Sequence, residues 1–246
     1  MSPSDLFTVP LDSWVEAFVN DFLVVYFRWL FQAIRVPIDY VMGGLESILI
    51  WIPMLIFTFV ACVVAWRAAG RGLAIFTGIS LIALDLIEVW TETMTTLSMI
   101  ITAVVFCAVV GVPIGIVGAR SDRMAGIIRP ILDIMQTIPP FVYLVPIVML
   151  FGVGMVPGVI ATIIFALPPI IRLTNLGIRQ VQASLVEAAY AFGATPKQVL
   201  WDVQVPLALR TIMAGLNQTL MLALSMAVIA ALIGAGGLGQ IVNTGL

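Results

Sequence analysis

The sequence predicts an all-α polytopic membrane protein, and three observations carry that prediction. Of its 246 residues, 62% are hydrophobic and 10% charged, with a mean hydropathy of +1.17. That is more apolar surface than a soluble domain of this length could bury, so lipid must be the solvent for much of the chain. Six apolar segments approach the ~20 residues a helix needs to cross the hydrocarbon core. Finally, nine of the eleven Lys and Arg residues fall in alternate breaks between those segments, the distribution expected when one set of loops is cytoplasmic.

Taken in order, residues 1–46 hold six of the thirteen acids together with aromatic and branched residues at helical spacing. Asp21, Arg28, Arg35 and Asp39 interrupt the apolar run, so this segment reads as an amphipathic helix on the extracytoplasmic membrane surface, with a bent or tilted crossing as the alternative. The membrane domain is expected over 47–246, with spans near 47–66, 72–91, 96–118, 131–152, 155–174 and 207–233. Arg67 and Arg71, the charged EVWTETM, GARSDRMAGIIRP, the glycine-rich FGVGMVPG and a long polar loop over 181–206 separate them. Asp133, four residues after Arg129, is placed for an intrahelical ion pair.

Inside the spans, polar side chains and prolines are informative because the bilayer penalises them. Pro139, Pro140 and Pro146 should bend the fourth span toward the protein interior, since carbonyls freed by proline need partners that lipid does not supply. Phe141 and Tyr143 between them either line a path, where aromatic faces would attract a quaternary ammonium, or pack against neighbouring helices. On the last span Asn217, Gln218 and Ser225 either line a path for a polar solute or hydrogen-bond between helices. Gly215, Ala223 and Ala227 suit close helix packing.

Several classes are disfavoured. The chain has no histidine, which removes the commonest general base and transition-metal ligand. Cys62 and Cys107 lie in apolar runs, so neither a disulfide framework nor a metal site is expected. A net charge of −2 gives no basis for nucleic-acid binding. No secretory leader pattern opens the chain, and no G-x-x-x-x-G-K-[ST] phosphate loop is present.

The stretch SLVEAAYAFGATPKQVLWDVQVP, Ser184 to Pro206, is the most informative. Ser184 with Glu187 reads as a capping box, Gly193 as a positive-φ helix terminator, and Thr195-Pro196 with Gln198 as a second helix start. Pro206 is expected to limit the second helix. This predicts two short helices joined at a glycine, outside the bilayer on the cation-rich side.

The spacing Glu187-Ala188-Ala189, three residues, Gly193, nine residues, Val203-Gln204-Val205-Pro206 resembles the EAA loop of ABC importer permeases. IPPFVYLVPIVMLFGVGMVPGVIATIIFALPPIIRLT before it and NQTLMLALSMAVIAALIGAGGLGQ after it are similar to permeases of glycine betaine and proline betaine importers, and the resemblance extends from about Leu11 to the C-terminus. It implies a type I ABC importer permease bundle with cytoplasmic coupling helices, in the bacterial cytoplasmic membrane with the N-terminus outside. It further implies two permease copies, two ATPase subunits that bind ATP and Mg, and an extracytoplasmic substrate-binding protein, with no cofactor in this chain. The solute would be a small zwitterionic or quaternary-ammonium osmolyte: a betaine, choline, carnitine, proline or trimethylamine N-oxide. Ala188 and Ala189 would pack closely on the ATPase, Gly193 would set the turn, Pro206 would close the motif, and Glu187 would either orient the loop or only cap its helix. Similar permeases continue past GAGGLGQ into a further membrane helix, whereas this sequence stops at Leu246 as that segment would begin, so GAGGLGQIVNTGL is read as an outer loop or a re-entrant turn. The rival from another class is a nucleotide-independent secondary transporter or channel, which should carry matched broken helices or ionisable groups at mid-membrane. No convincing repeat is found, and the acids lie near span ends.

Overall fold

The computed structural model describes residues 25–245, and among the described residues there is no strand. The first helix, α1 (Val25–Trp51), runs past the expected boundary at residue 46 and stops at Pro53. A proline donates no backbone bond and biases the preceding residue away from helix, so the axis turns by 101° into α2 (Met54–Ala69). Residues 1–24 of the expected amphipathic segment lie outside the described part. One face of the remainder packs inward, where Ile38 and Met42 are buried in the core cluster of Met99 and Ala103 and Glu46 accepts a 2.8 Å hydrogen bond from Thr95 Oγ1, while Trp29, Val36 and Tyr40 are exposed.

The hairpin of α2 and α3 (Arg71–Leu86) turns at Gly70, whose φ is +91°. Each helix has 16 residues, about 24 Å at 1.5 Å per residue, and is shorter than the spans read at 47–66 and 72–91. Pro53 removes the first residues of the one, and the turn at Glu88 ends the other. There Glu88 N–H donates to Asp85 O (2.9 Å) and Val89 N–H to Leu84 O (3.1 Å), a Schellman closure with glutamate at φ +60° where glycine is usual.

The expected fourth span is not one helix. Its first part belongs to α5 (Asp122–Thr137), which starts inside the stretch read as a polar break, with Ser121 Oγ accepting from Met124 N–H (3.4 Å). A 98° bend at Ile138-Pro139 then leads into α6 (Pro140–Phe151). The proline therefore makes a corner where a kink was expected. Asp133 does not pair with Arg129: α5 lies across the end of α7 (Met155–Arg179), and Arg172 reaches Asp133 at 2.6 Å. Two turns further on, Arg179 binds Asp122 (2.7 Å) and donates to Gly118 O (2.9 Å).

Among the described residues three helices are individually long and apolar enough to cross a membrane: α4 (Trp90–Arg120), α7, and α9 (Pro196–Ile233). They make up the core, and glycines set their spacing. A Cβ on Gly115 of α4 would come within 2.6 Å of Thr174 Cβ and 2.9 Å of Ile171 O on α7. On α9, a Cβ at Gly215 would lie 3.0 Å from Leu173 Cβ, and Ala223 and Ala227 are buried, as their small size suggested. Buried Ser98, Thr102 and Thr162 donate to carbonyls of the preceding turn, which satisfies their hydroxyls without another helix. The chain closes with α10 (Gly237–Thr244), tied to α4 where Leu238 N–H donates to Thr96 Oγ1 at 2.8 Å.

Candidate functional site

The helix-turn-helix over residues 183–206 is built by backbone chemistry that the sequence announces at one end and conceals at the other. Helix α8 (Ala183–Ala191) is closed by Gly193 at φ +84°. Gly193 N–H donates to Tyr190 O (2.9 Å) and Ala194 N–H to Ala189 O (3.0 Å), the paired bonds of a Schellman motif. Two residues on, Thr195 and Gln198 cap each other: Thr195 N–H donates to Gln198 Oε1 (2.8 Å), and Thr195 Oγ1 accepts from Gln198 N–H (3.4 Å). A Cβ at Gly193 would meet nothing within 4 Å, so the position needs glycine for its φ alone and not for space.

Two expectations are corrected. Ser184 does not cap α8: the helix begins at Ala183 after Gln182, with no side-chain cap bond, and both Leu185 and Val186 donate to Gln182 O. Ser184 is thus already helical and Glu187 has no reciprocal partner. Nor does Pro206 limit the second helix. A π-helical turn over Val199–Gln204, in which Val205 N–H bonds Leu200 O five residues back, carries the chain into α9. Widening the turn directly ahead of Pro206 relieves the clash its ring would make with the carbonyl four residues earlier.

Packing fixes which face of the unit is free. Val199 and Leu200 are buried, and Leu200 joins the cluster of Ile178 and Ala208. Glu187, Ala188, Gly193 and Pro206 are exposed and Ala189 is half-buried. Phe192 is 93% exposed, with Tyr190 and Leu185 also exposed on α8. A free-standing aromatic of this kind at the end of a short helix presents an apolar anchor to a partner. These three were missed from sequence, although two aromatics beside the turn glycine of a polar loop were the available signal.

The candidate path residues do not converge. Asn217, Gln218 and Ser225 are exposed on α9, and Ser225 Oγ donates to Met221 O (3.2 Å). Phe141 is exposed at the start of α6, beside Val228 and Leu232 in a shallow apolar cleft of about 210 Å³ that also reaches Asn243. Tyr143 instead packs half-buried against the core cluster, its hydroxyl enclosed without a partner. Among the described residues no cluster of His, Cys, Asp and Glu comes together that could hold a metal ion.

The family model described as binding-protein-dependent transport system inner membrane component matches residues 111–246, more than half of the chain. The chain belongs to that family. This permease is 57% identical over 97% of its length to the glycine betaine/proline betaine transport system permease protein ProW of Escherichia coli K12, covering 67% of that protein. It is 45% identical over 94% of its length to the glycine betaine transport system permease protein OpuAB of Bacillus subtilis, covering 82%. A solved inward-facing structure of the MetNI methionine ABC transporter superposes with a TM-score of 0.55 at 26% identity, over 63% of this chain and 77% of that one. The bundle is thus a type I ABC importer permease fold. The matched region starts within α4 and takes in the broken α5–α6 segment, α7, the helix-turn-helix over 183–206 and α9.

Proposed function

We propose that this permease is the membrane-spanning subunit of an ATP-driven importer for a small zwitterionic or quaternary-ammonium osmolyte. The single observation that carries the reading is the exposed, doubly capped α8–Gly193–α9 unit on a chain so similar to betaine permeases. Two capped helices joined at a fixed angle form a short rigid body. A nucleotide-driven ATPase must grip such a body for its motion to reach α7 and α9, into which the unit runs directly. Glycine betaine or proline betaine is the favoured solute, and carnitine and trimethylamine N-oxide, named for other relatives, are the nearest rivals.

In this reading two ATPase copies bind ATP and Mg and supply hydrolysis, this chain contributing no catalytic group. A second permease copy faces the exposed side of α9 with Asn217, Gln218 and Ser225, and an extracytoplasmic binding protein delivers solute. Arg67, Arg71, Arg120, Arg123, Arg129, Arg172, Arg179, Lys197 and Arg210 mark the cytoplasmic side, which places the N-terminus outside. The test is reconstitution in liposomes with the ATPase and binding protein. Labelled glycine betaine should accumulate only when ATP and binding protein are both present. Uptake driven by an ion gradient without nucleotide would replace this reading with the secondary-transporter one.

A further inference from the structure

At the root of the coupling unit, the end of α7, the start of α8 and the Pro206–Thr211 stretch of α9 enclose an open cleft of about 580 Å³. Its polar lining residues are Arg210, Gln180 and Gln182, all exposed, and half-buried Thr211, and no acidic residue lines it. None of these four side chains forms a hydrogen bond or ion pair with another described residue. The contrast with the neighbouring cations matters: Arg172 and Arg179 are each neutralised by an aspartate of α5, whereas Arg210 has no such partner. Leu185 and Leu207 add apolar wall.

Depth gives this donor set its meaning. From Arg210 to the end of α9 at Ile233 the rise is about 35 Å, slightly more than the hydrocarbon thickness, so Arg210 lies at the cytoplasmic edge of the bilayer. An unpaired guanidinium in a cleft shared with amide and hydroxyl side chains, at a mouth and not at mid-membrane, has the chemistry to receive a carboxylate. Because Leu185 belongs to α8, a ligand in the cleft also touches the coupling helix.

We propose that this cleft receives the carboxylate of the transported zwitterion as it leaves on the cytoplasmic side. Arg210 supplies the ion pair, Gln180, Gln182 and Thr211 supply hydrogen bonds, and the methylated ammonium rests against Leu185 and Leu207. The proposal rests on the betaine-importer reading. The same chemistry would accept an Asp or Glu side chain of the docked ATPase, and the experiment separates the two sources.

The permease–ATPase complex, in lipid nanodiscs without binding protein, is titrated calorimetrically with glycine betaine, acetate and choline. Betaine and acetate should bind, and choline, which shares the trimethylammonium but has no carboxylate, should not. Arg210→Gln should weaken both carboxylates about tenfold or more, since a charge-assisted bidentate contact is lost, while Arg210→Lys retains part of the affinity. A Gln180→Ala/Gln182→Ala double variant should weaken both carboxylates with Arg210 intact, which covers the case of a poorly folded Arg210→Gln. The proposal is overturned if choline binds as well as betaine, or if wild type binds no carboxylate. It is equally overturned if the Gln and Ala variants bind like wild type, or if Arg210→Gln sheds the ATPase while betaine affinity is unchanged, which would assign the carboxylate to the ATPase. Binding-protein-dependent betaine uptake by wild type, measured in parallel, keeps the transport assignment separate: uptake without carboxylate binding removes the cleft alone.

Discussion

Arg172 of α7 and Asp133 of α5 meet at 2.6 Å across the corner where the broken segment turns into the membrane. With Arg179–Asp122 at 2.7 Å, this pair staples α5 along the end of α7. The side chains of Arg172 and Asp133 are 43% and 66% exposed, so each bridge should stabilise by less than about 1 kcal/mol, and its main effect is on where α5 sits. Asp133→Ala should therefore leave the melting temperature in detergent within a few degrees of wild type while loosening α5. A cysteine pair linking α5 to α7 should then cross-link more slowly in Asp133→Ala, and the exchanged pair Asp133→Arg/Arg172→Asp should restore the rate. An unchanged rate in Asp133→Ala would show that apolar contacts alone place α5.

Glu88 sits at φ +60° between α3 and α4, exposed, and closes a Schellman turn that glycine would close without strain. A side chain in the left-handed region costs about 1 kcal/mol. Glu88→Gly should therefore raise thermal stability, even after the added backbone freedom of the unfolded state offsets part of the gain. Lowered stability would mean that the carboxylate makes a compensating interaction in the assembled transporter.

What was legible in the sequence was the chemistry that acts locally. Gly193, the Thr195–Gln198 cap and the apolar runs of α4 and α7 each determine their neighbourhood within a turn or two, and all appear where the residues place them. The failures share a physical cause. Pro206 looked like a terminator because proline forbids an α-helical bond, yet a π turn ahead of it provides another way through. Asp133 looked like a partner for Arg129 because both lie on one helix face, but the 98° corner at Pro139 brings Arg172 within reach, and nothing local encodes that corner's direction. Ser184 and Glu187 matched a capping pattern two residues too late, since the chain enters α8 at Gln182. The exposure of Phe192 and the unpaired donors around Arg210 depend on how α7, α8 and α9 assemble, which spacing alone does not reveal.

Topology gives a third expectation. In a variant with Cys62 and Cys107 replaced by alanine, a single cysteine at exposed Arg123 or exposed Lys197 should be shielded in intact cells from a membrane-impermeant thiol reagent. One at exposed Glu88 should label. Labelling at 197 from outside would place α8 on the wrong face for any ATPase and remove the basis of the coupling assignment.

The coupling unit itself allows backbone geometry to be separated from surface. Gly193 has open space around its missing Cβ, so Gly193→Ala and Gly193→Asn differ from wild type only in how willingly they adopt φ +84°. Asparagine tolerates that region better than alanine, whose penalty is about 1 kcal/mol, and β-branched valine is worse again. Loss of solute-stimulated ATP hydrolysis should thus rank Val, then Ala, then Asn. Phe192 tests the surface instead, because it is 93% exposed and supports nothing within its own chain. Phe192→Ala should leave membrane insertion and melting temperature unchanged, and yet reduce ATPase retention on purification and uncouple hydrolysis from uptake. Glu187→Ala should be mild, since the carboxylate has no reciprocal cap to lose. If Phe192→Ala and Gly193→Val both hydrolyse ATP and transport like wild type, α8 is a passive loop and force must enter the membrane helices elsewhere. If only Gly193→Val fails, the angle between α8 and α9 carries the coupling and the aromatic does not.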